Sequence, residues 1–249
     1  MGGTTEASRL AQALADAQVD AIFSYAGRTE SPLPQPLPVR VGGFGGVDGL
    51  RAWLLQNQIT HVVDATHPFA AQMSRNAVAA CAATDIPLLA LERPAWQVQV
   101  GDRWQHVPDM ESAAQALPTV ASRVFLAIGR LHVEPFLVHA QHWFLLRLVD
   151  ASLALPAGRG HIVLARGPFT EAADTALLQQ HRITHVVAKN SGGGGAEAKL
   201  SAARALGLPV ILIDRPAIAR RPTVARVDEV LRWVGVHHGS TGVTTERGV

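Results

Sequence analysis

The sequence predicts an α/β fold: two parallel-sheet domains related by an internal duplication, with a ligand cleft between them. Three observations carry this. Ile59-Thr60-His61-Val62-Val63 returns unchanged as Ile183-Thr184-His185-Val186-Val187. Two further pairs recur in the same order: residues 86–95 resemble 208–217, and Val107-Pro108-Asp109 with its helix resembles Val227-Asp228-Glu229 with its own. Finally, apolar β-branched runs alternate with amphipathic stretches, the pattern of parallel strands joined by right-handed crossovers. Polar residues follow the repeated strands, at the carboxyl ends where open α/β sheets bind ligands.

The first element is a glycine-rich turn, Met1-Gly2-Gly3-Thr4-Thr5-Glu6, opening a helix to about Leu14 with Thr4 or Thr5 as cap and Ala7, Leu10, Ala11 and Leu14 as its apolar face. Such a turn normally follows a strand. Residues 123–129 form one in the second half, and shifted back by the repeat it falls just before residue 1. A strand is therefore expected ahead of Met1, and without it a neighbouring strand has one bare side. Residues 19–25 are the next strand, followed by the irregular Pro32 to Pro38 and by Gly42-Gly43-Phe44-Gly45-Gly46, where four glycines around one aromatic imply close backbone approach. A helix at 48–57 leads to the repeated strand, and a helix at 69–83 to a strand at 87–91. Residues 104–107 and 110–117 read as a last strand and helix. The expected domains are 1–120 and 121–236, with a Gly/Thr-rich tail at 237–249 expected to be disordered.

The totals exclude several classes. Of 249 residues, 48% are apolar and 17% charged, which is globular composition. No apolar run approaches the roughly 20 residues that span a bilayer. Glu6 and Arg9 interrupt any secretory pattern, and a single cysteine, Cys81, fits a reducing cytoplasm and a core packing role. A net charge of +2 and no stretch of arginines with interleaved aromatics argue against nucleic acid. No second His or Cys lies at ligand spacing from His67, so a metal is not indicated.

The polar strand tips carry the chemistry. The turn at Gly2, Gly3 and Thr4 lies where a dinucleotide-binding fold holds its pyrophosphate, although it lacks the G-x-G-x-x-G order and a plain tight turn would read the same. Ser24 and Arg28 follow the second strand, where such folds meet the adenine ribose. A hydroxyl and an arginine suit a 2′-phosphate, so the cofactor expected is NADPH. Thr66 and His67 follow the central strand after Asp64, and His67 could donate to a substrate or move a proton. In the second half, Lys189-Asn190-Ser191-Gly192 reads as an anion-recognising loop. Arg130, Arg147 and Arg166 near other strand ends would add to a polyanion site.

Taken in order, Gly-Gly-Thr-Thr-Glu-Ala, Ser-Tyr-Ala-Gly-Arg-Thr, Gly-Gly-Phe-Gly-Gly, Asp-Ala-Thr-His-Pro-Phe-Ala, Arg-Pro-Ala-Trp, Arg-Gly-Pro-Phe and Lys-Asn-Ser-Gly-Gly make the chain resemble the precorrin-6A reductases of cobalamin biosynthesis from Gly2 to about Trp233. The resemblance implies two Rossmann-like domains and reduction of one double bond of precorrin-6A to give precorrin-6B. It places Gly2, Gly3, Thr4, Ser24, Arg28, Gly43, Phe44, Gly45 and Thr66 on NADPH. It sets Lys189, Asn190, Ser191 and Gly192, with Arg130 and Arg166, toward the carboxylate arms of the tetrapyrrole. His67 and Lys189 are the catalytic candidates, with water as a rival proton source. Neighbouring enzymes of the pathway are implied partners. The alternatives are a cobalt-precorrin-6A reductase using NADH, and a two-domain nucleotide-sugar transferase.

Overall fold

The structure is a computed structural model that describes residues 1–27, 32–149 and 155–236. The chain runs through α1 (Thr5–Asp16), β1 (Phe23–Tyr25), β2 (Val39–Val41), α2 (Gly46–Gln56), β3 (Val62–Asp64), α3 (Ala71–Ala82) and β4 (Leu88–Leu91). It continues through β5 (Trp104–Val107), α4 (Met110–Gln115), β6 (Arg123–Ala127), α5 (Glu134–Leu137), β7 (Trp143–Leu148) and β8 (Gly160–Leu164). The last elements are α6 (Glu171–Gln180), β9 (His185–Lys189), α7 (Ala198–Ala205), β10 (Val210–Ile213), β11 (Thr223–Val224) and α8 (Val227–Trp233).

Local chemistry explains the helix starts. The Thr4 hydroxyl accepts from the Ala7 amide at 3.1 Å, and α1 buries Ala7, Leu10, Ala11 and Leu14 as their helical spacing requires. Asp109 and Thr170 cap α4 and α6 in the same way. The central strands of the second sheet are apolar on both faces. Val124, Phe125, Leu126, Val186, Val187, Ala188 and Leu212 are fully buried, as parallel strands between helix layers must be. Each large side chain so buried contributes roughly 1.5–3 kcal/mol. Cys81 is buried in α3, and burial raises its thiol to about 11, which fits packing rather than nucleophilic chemistry.

Every strand pair among the described residues is parallel. One sheet has the order β5-β10-β9-β6-β7-β8. The other consists of two ladders, β11-β4-β3 and β1-β2. Met1 and Gly2 lie between them: the Met1 amine donates to Val63 O at 2.9 Å, Ala65 N to Met1 O at 3.0 Å, and Gly2 N to Ser24 O at 3.0 Å. The spatial order β11-β4-β3-(residues 1–2)-β1-β2 thus repeats the six-stranded order with residues 1–2 in the place of β6.

Two expectations are corrected. The strand expected at 19–25 is regular only over Phe23–Tyr25, because residues 19–22 line a gap beside β1. Sheet membership also does not follow a boundary at 120. β5 pairs with β10, placing Trp104 opposite Val210, and β11 pairs with β4, placing Thr223 opposite Ala90. Each half therefore donates its last strand to the other half's sheet, through connections at 92–103 and 214–222.

Candidate functional site

The sequence-selected tips gather at the carboxyl edges of the two sheets. Gly2 is obligatory, since a Cβ there would come within 2.4 Å of the Phe23 ring and 2.8 Å of Ala7 Cβ. Gly3 has φ +129°, a conformation L side chains rarely adopt. Thr4 also donates to Ala65 O at 2.9 Å, tying the turn to β3. Beside it, above β1 and β2, Gly42 donates to Tyr25 O at 2.9 Å. A Cβ added at Gly3, Gly42, Gly43 or Gly45 would meet nothing within 4 Å. The two glycine stretches therefore present bare backbone to open space next to a helix N-terminus, a cradle suited to a dinucleotide.

Arg40 shapes the rim of this cradle. Its guanidinium donates to Gly42 O at 2.6 Å, Gly43 O at 2.7 Å and the buried Ser24 hydroxyl at 3.3 Å. It lies 3.7 Å over the Phe44 ring, which meets Trp53 edge-on. Ser24 is thus held by a cation from β2. Arg28, the other expected partner of a 2′-phosphate, lies outside the described residues.

At the β3 tip, buried Asp64 accepts from the Thr66 hydroxyl at 2.7 Å and the Thr66 amide at 3.2 Å. Its second oxygen has no hydrogen bond but faces Arg221 at 3.7 Å. The Thr66 oxygen keeps a lone pair for a ligand donor. The Phe69 amide donates to His67 Nδ1 at 3.2 Å, which assigns the ring proton to Nε2. Desolvation, then Arg93, Lys189, Arg215 and Lys199, lower the imidazole to about 3. The residue is nonetheless exposed, with Arg93, Lys189, Arg215 and Lys199 acting on its ring. All of these influences act in the same direction, and His67 is neutral at neutral pH. It can donate a hydrogen bond from Nε2; it has no imidazolium proton to give. Phe69 stands between the two tips, 5.9 Å from the His67 ring and 5.4 Å from Lys189 Nζ. The ends of β3 and β9 therefore lie on either side of Phe69.

The residues after Lys189 are bound into the fold. The Asn190 side chain accepts from Trp96 N at 2.8 Å and donates to Trp96 O at 3.3 Å, with Asn190 only 6% exposed. Both ends of its amide are thus bonded to Trp96. Ser191 is equally buried, and its carbonyl accepts from Arg93 at 2.8 Å and Arg215 at 3.1 Å. Gly192 and Gly193 have φ +68° and +76°. A Cβ on Gly192 would lie 1.9 Å from Pro94 O, and one on Gly193 2.5 Å from the Arg93 stem. The glycines let this loop lie on Arg93-Pro94-Ala95-Trp96. Arg147 is paired with buried Asp174 at 2.5 Å. Arg130, in the turn after β6, and Arg166, exposed after β8, stand at the same carboxyl edge as Lys189.

Several residues organising this edge escaped the sequence reading. Arg93 pairs with Glu6 at 2.7 Å, joining α1 to the second sheet's loop. Arg215 pairs with Glu92 at 2.7 Å and donates to the carbonyls of Arg93 and Asn190. Arg221 reaches the other Glu92 oxygen at 3.1 Å. Lys199 is buried, donates to Ala196 O and lies 4.5 Å from the Trp96 ring; burial, then Arg147, lowers it to about 7. The available signal was the doubled acid-Arg-Pro-Ala after β4 and β10, which marks the two crossing connections. Among the described residues no group of three or more His, Cys, Asp or Glu could hold a metal, and no helix is long and apolar enough to cross a membrane.

The comparisons agree with this architecture. The family model described as precorrin-6x reductase CbiJ/CobK matches residues 1–235. The chain is 59% identical over 244 residues to a precorrin-6A reductase of Rhodobacter capsulatus, covering 97% of this chain and 96% of that one. It is 31% identical over 204 residues to a cobalt-precorrin-6A reductase of Priestia megaterium, covering 78% and 79%. A solved structure of a CobK precorrin-6A reductase superposes with a TM-score of 0.90 at 60% identity, over 94% of this chain and 93% of the other. With the doubled parallel-sheet order and the glycine cradle in place, this similarity over nearly the whole length assigns the chain to the precorrin-6x reductase (CbiJ/CobK) family.

Proposed function

We propose that this protein reduces one carbon–carbon double bond of precorrin-6A, giving precorrin-6B in cobalamin biosynthesis, with NADPH as the reductant. One observation supports the reading: a bare-backbone cradle stands at the carboxyl edge of one sheet and a lysine tip at that of the other, with Phe69 between His67 and Lys189. The relatives favour the metal-free ring, since the name precorrin-6A reductase goes with 59% identity and the cobalt name with 31%.

When bound, a nicotinamide dinucleotide supplies the hydride. The residues of this chain bind and orient. Gly2, Gly3 and Thr4 at the α1 N-terminus hold the pyrophosphate. Ser24 and Arg28 hold the 2′-phosphate, while Gly43, Phe44 and Gly45, braced by Arg40, border the nucleoside. Thr66 accepts and neutral His67 donates hydrogen bonds beside the reacting groups. Lys189, Arg130 and Arg166 meet the carboxylate arms, with Gly192 keeping the Lys189 loop seated. The Lys189 ammonium is the proton source among these side chains, because His67 carries no acidic proton.

The test follows the near-ultraviolet absorbance of reduced nicotinamide with precorrin-6A present. We expect oxidation only with the tetrapyrrole, and a preference for NADPH over NADH of about ten- to hundredfold, the worth of one charge-assisted contact. No oxidation with either cofactor overturns the proposal. Equal use of both removes the 2′-phosphate role alone.

A further inference from the structure

Two guanidinium groups meet on one carbonyl beside the lysine tip. Arg93 Nε donates to Ser191 O at 2.8 Å, and Arg215 Nη2 donates to the same oxygen at 3.1 Å. A carbonyl oxygen has two lone pairs, so two cations fill this acceptor. Ser191 is only 5% exposed, and the arginines rather than bulk water satisfy it. Ser191 N in turn donates to Lys189 O at 2.7 Å, closing a three-residue turn around Asn190. Whatever holds the Ser191 carbonyl therefore holds the backbone from which the Lys189 side chain leaves.

Each arginine is aimed by an acid from the sheet that carries the glycine cradle. Glu6, in the first turn of α1, accepts from Arg93 Nη1 at 2.7 Å. Glu92, at the end of β4, accepts from Arg215 Nη1 at 2.7 Å and, on its other oxygen, from Arg221 Nη2 at 3.1 Å. Arg221 also faces Asp64, whose other oxygen holds the Thr66 hydroxyl. Two struts thus reach one atom of the opposite sheet. The first starts beside the cradle, at Glu6, and passes through Arg93. The second starts at Thr66 and passes through Asp64, Arg221, Glu92 and Arg215. The side chains of Arg93 and Arg215 are only 16% and 20% exposed. A guanidinium is a planar fork, so binding one edge to a carboxylate sets the direction of its remaining N–H groups. Without its acid, a mostly buried arginine turns toward water or another acceptor, and its bond to the carbonyl is lost.

We propose that Glu6 and Glu92 are positioning residues of the reaction: through Arg93 and Arg215 they fix the Ser191 carbonyl, and with it the place of Lys189 relative to the cofactor cradle. The inference rests on the reading that Lys189 meets the tetrapyrrole. It supplies the alignment that reading needs, since a misplacement of about 1 Å between reacting partners can cost about a hundredfold in rate.

Lys189 and Lys199 are the only lysines in the chain. Reductive methylation with isotope-labelled formaldehyde therefore gives Lys189 its own NMR signal. Glu6→Gln and Glu92→Gln keep shape and remove charge, while Arg215→Lys keeps the charge but cannot reach Glu92 and Ser191 together. In full chains shown to be folded by circular dichroism, we expect each substitution to shift or split the Lys189 signal. Each should raise the KM for precorrin-6A about five- to tenfold and leave the dissociation constant for NADPH within about twofold. In a Lys189→Ala background each should cost less than about twofold, because no lysine is left to misplace. An unmoved Lys189 signal, equal losses for NADPH and the tetrapyrrole, or the same losses with and without Lys189 overturns the proposal. If no chain reduces precorrin-6A, the parent included, the reaction proposed above fails, and the Lys189 signal still decides the positioning role.

Discussion

Replacing Asn190 by Leu separates a structural role from a substrate-binding one. The side chain of Asn190 satisfies both backbone groups of Trp96, at 2.8 and 3.3 Å, in a buried setting. Leucine fills a similar volume and leaves that N–H and C=O without partners. Each orphaned buried group costs about 1–3 kcal/mol, and the longer of the two bonds weighs toward the low end, so a loss of about 2–4 kcal/mol follows. For a chain of this size that lowers Tm by roughly 5–15 °C. Thermal melts of the variant and parent, with steady-state kinetics well below either transition, provide the assay. A Tm within a degree of the parent, together with a KM for the tetrapyrrole raised tenfold or more, would refute the assignment and return Asn190 to the substrate. Asn190→Asp adds a check of sign. Its ionised carboxylate would face Trp96 O, so the folded state raises its pKa above the unfolded value. The protonated form, which can donate to that carbonyl, is the stabilising one. The deficit against the parent should therefore shrink as pH falls from about 8 to 5.

His67 should show no titration between about pH 5 and 8 when followed by ring NMR resonances, and its Nδ1 should remain the unprotonated nitrogen; a transition near 6.5 would undo the neutral assignment. The same shift has a stability consequence: the unfolded ring takes a proton near 6.5 and the folded ring only near 3, so acidification through that window favours unfolding, and His67→Asn should lessen the acid sensitivity of Tm. Arg28→Ala should raise the KM for NADPH by about tenfold or more and leave that for NADH within about twofold; equal losses would reject a 2′-phosphate contact. Lys189→Ala should weaken tetrapyrrole binding more than cofactor binding in paired titrations, and the opposite ranking would reverse the roles of the two sheets.

Much of this fold was legible because its information is local. The repeated Ile-Thr-His-Val-Val named the two central strands, the Thr4 cap named α1, and the strand tips were found by looking just past each apolar run. Exchange of the last strands was not legible. Trp104–Val107 pairs with Val210–Ile213, a register set between segments over a hundred residues apart, and nothing in either segment's alternation distinguishes this partner from its own half's β4. The doubled match of Val107-Pro108-Asp109 with Val227-Asp228-Glu229 did reveal that β5 and β11 are equivalent. It could not reveal that they had changed places.

The exchange also accounts for the second task of the residues that sequence reasoning placed at the site. Two chains that cross between sheets must be fastened where they cross, and backbone crossing at a sheet edge needs partners for its own N–H and C=O groups. Asn190, Ser191, Arg93 and Arg215 supply those partners, and Gly192 and Gly193 supply the clearance. These are the residue types that also bind anions, so a polar loop at a carboxyl edge reads as ligand-binding whichever task it performs. The side chain of Lys189 faces Phe69, while the residues from Asn190 to Gly193 face the crossing chain. A loop seated this way is preorganised, because its conformation is fixed by Trp96 and the two arginines before any ligand arrives. Loosening the crossing should consequently act on Lys189 at a distance, through the loop it closes.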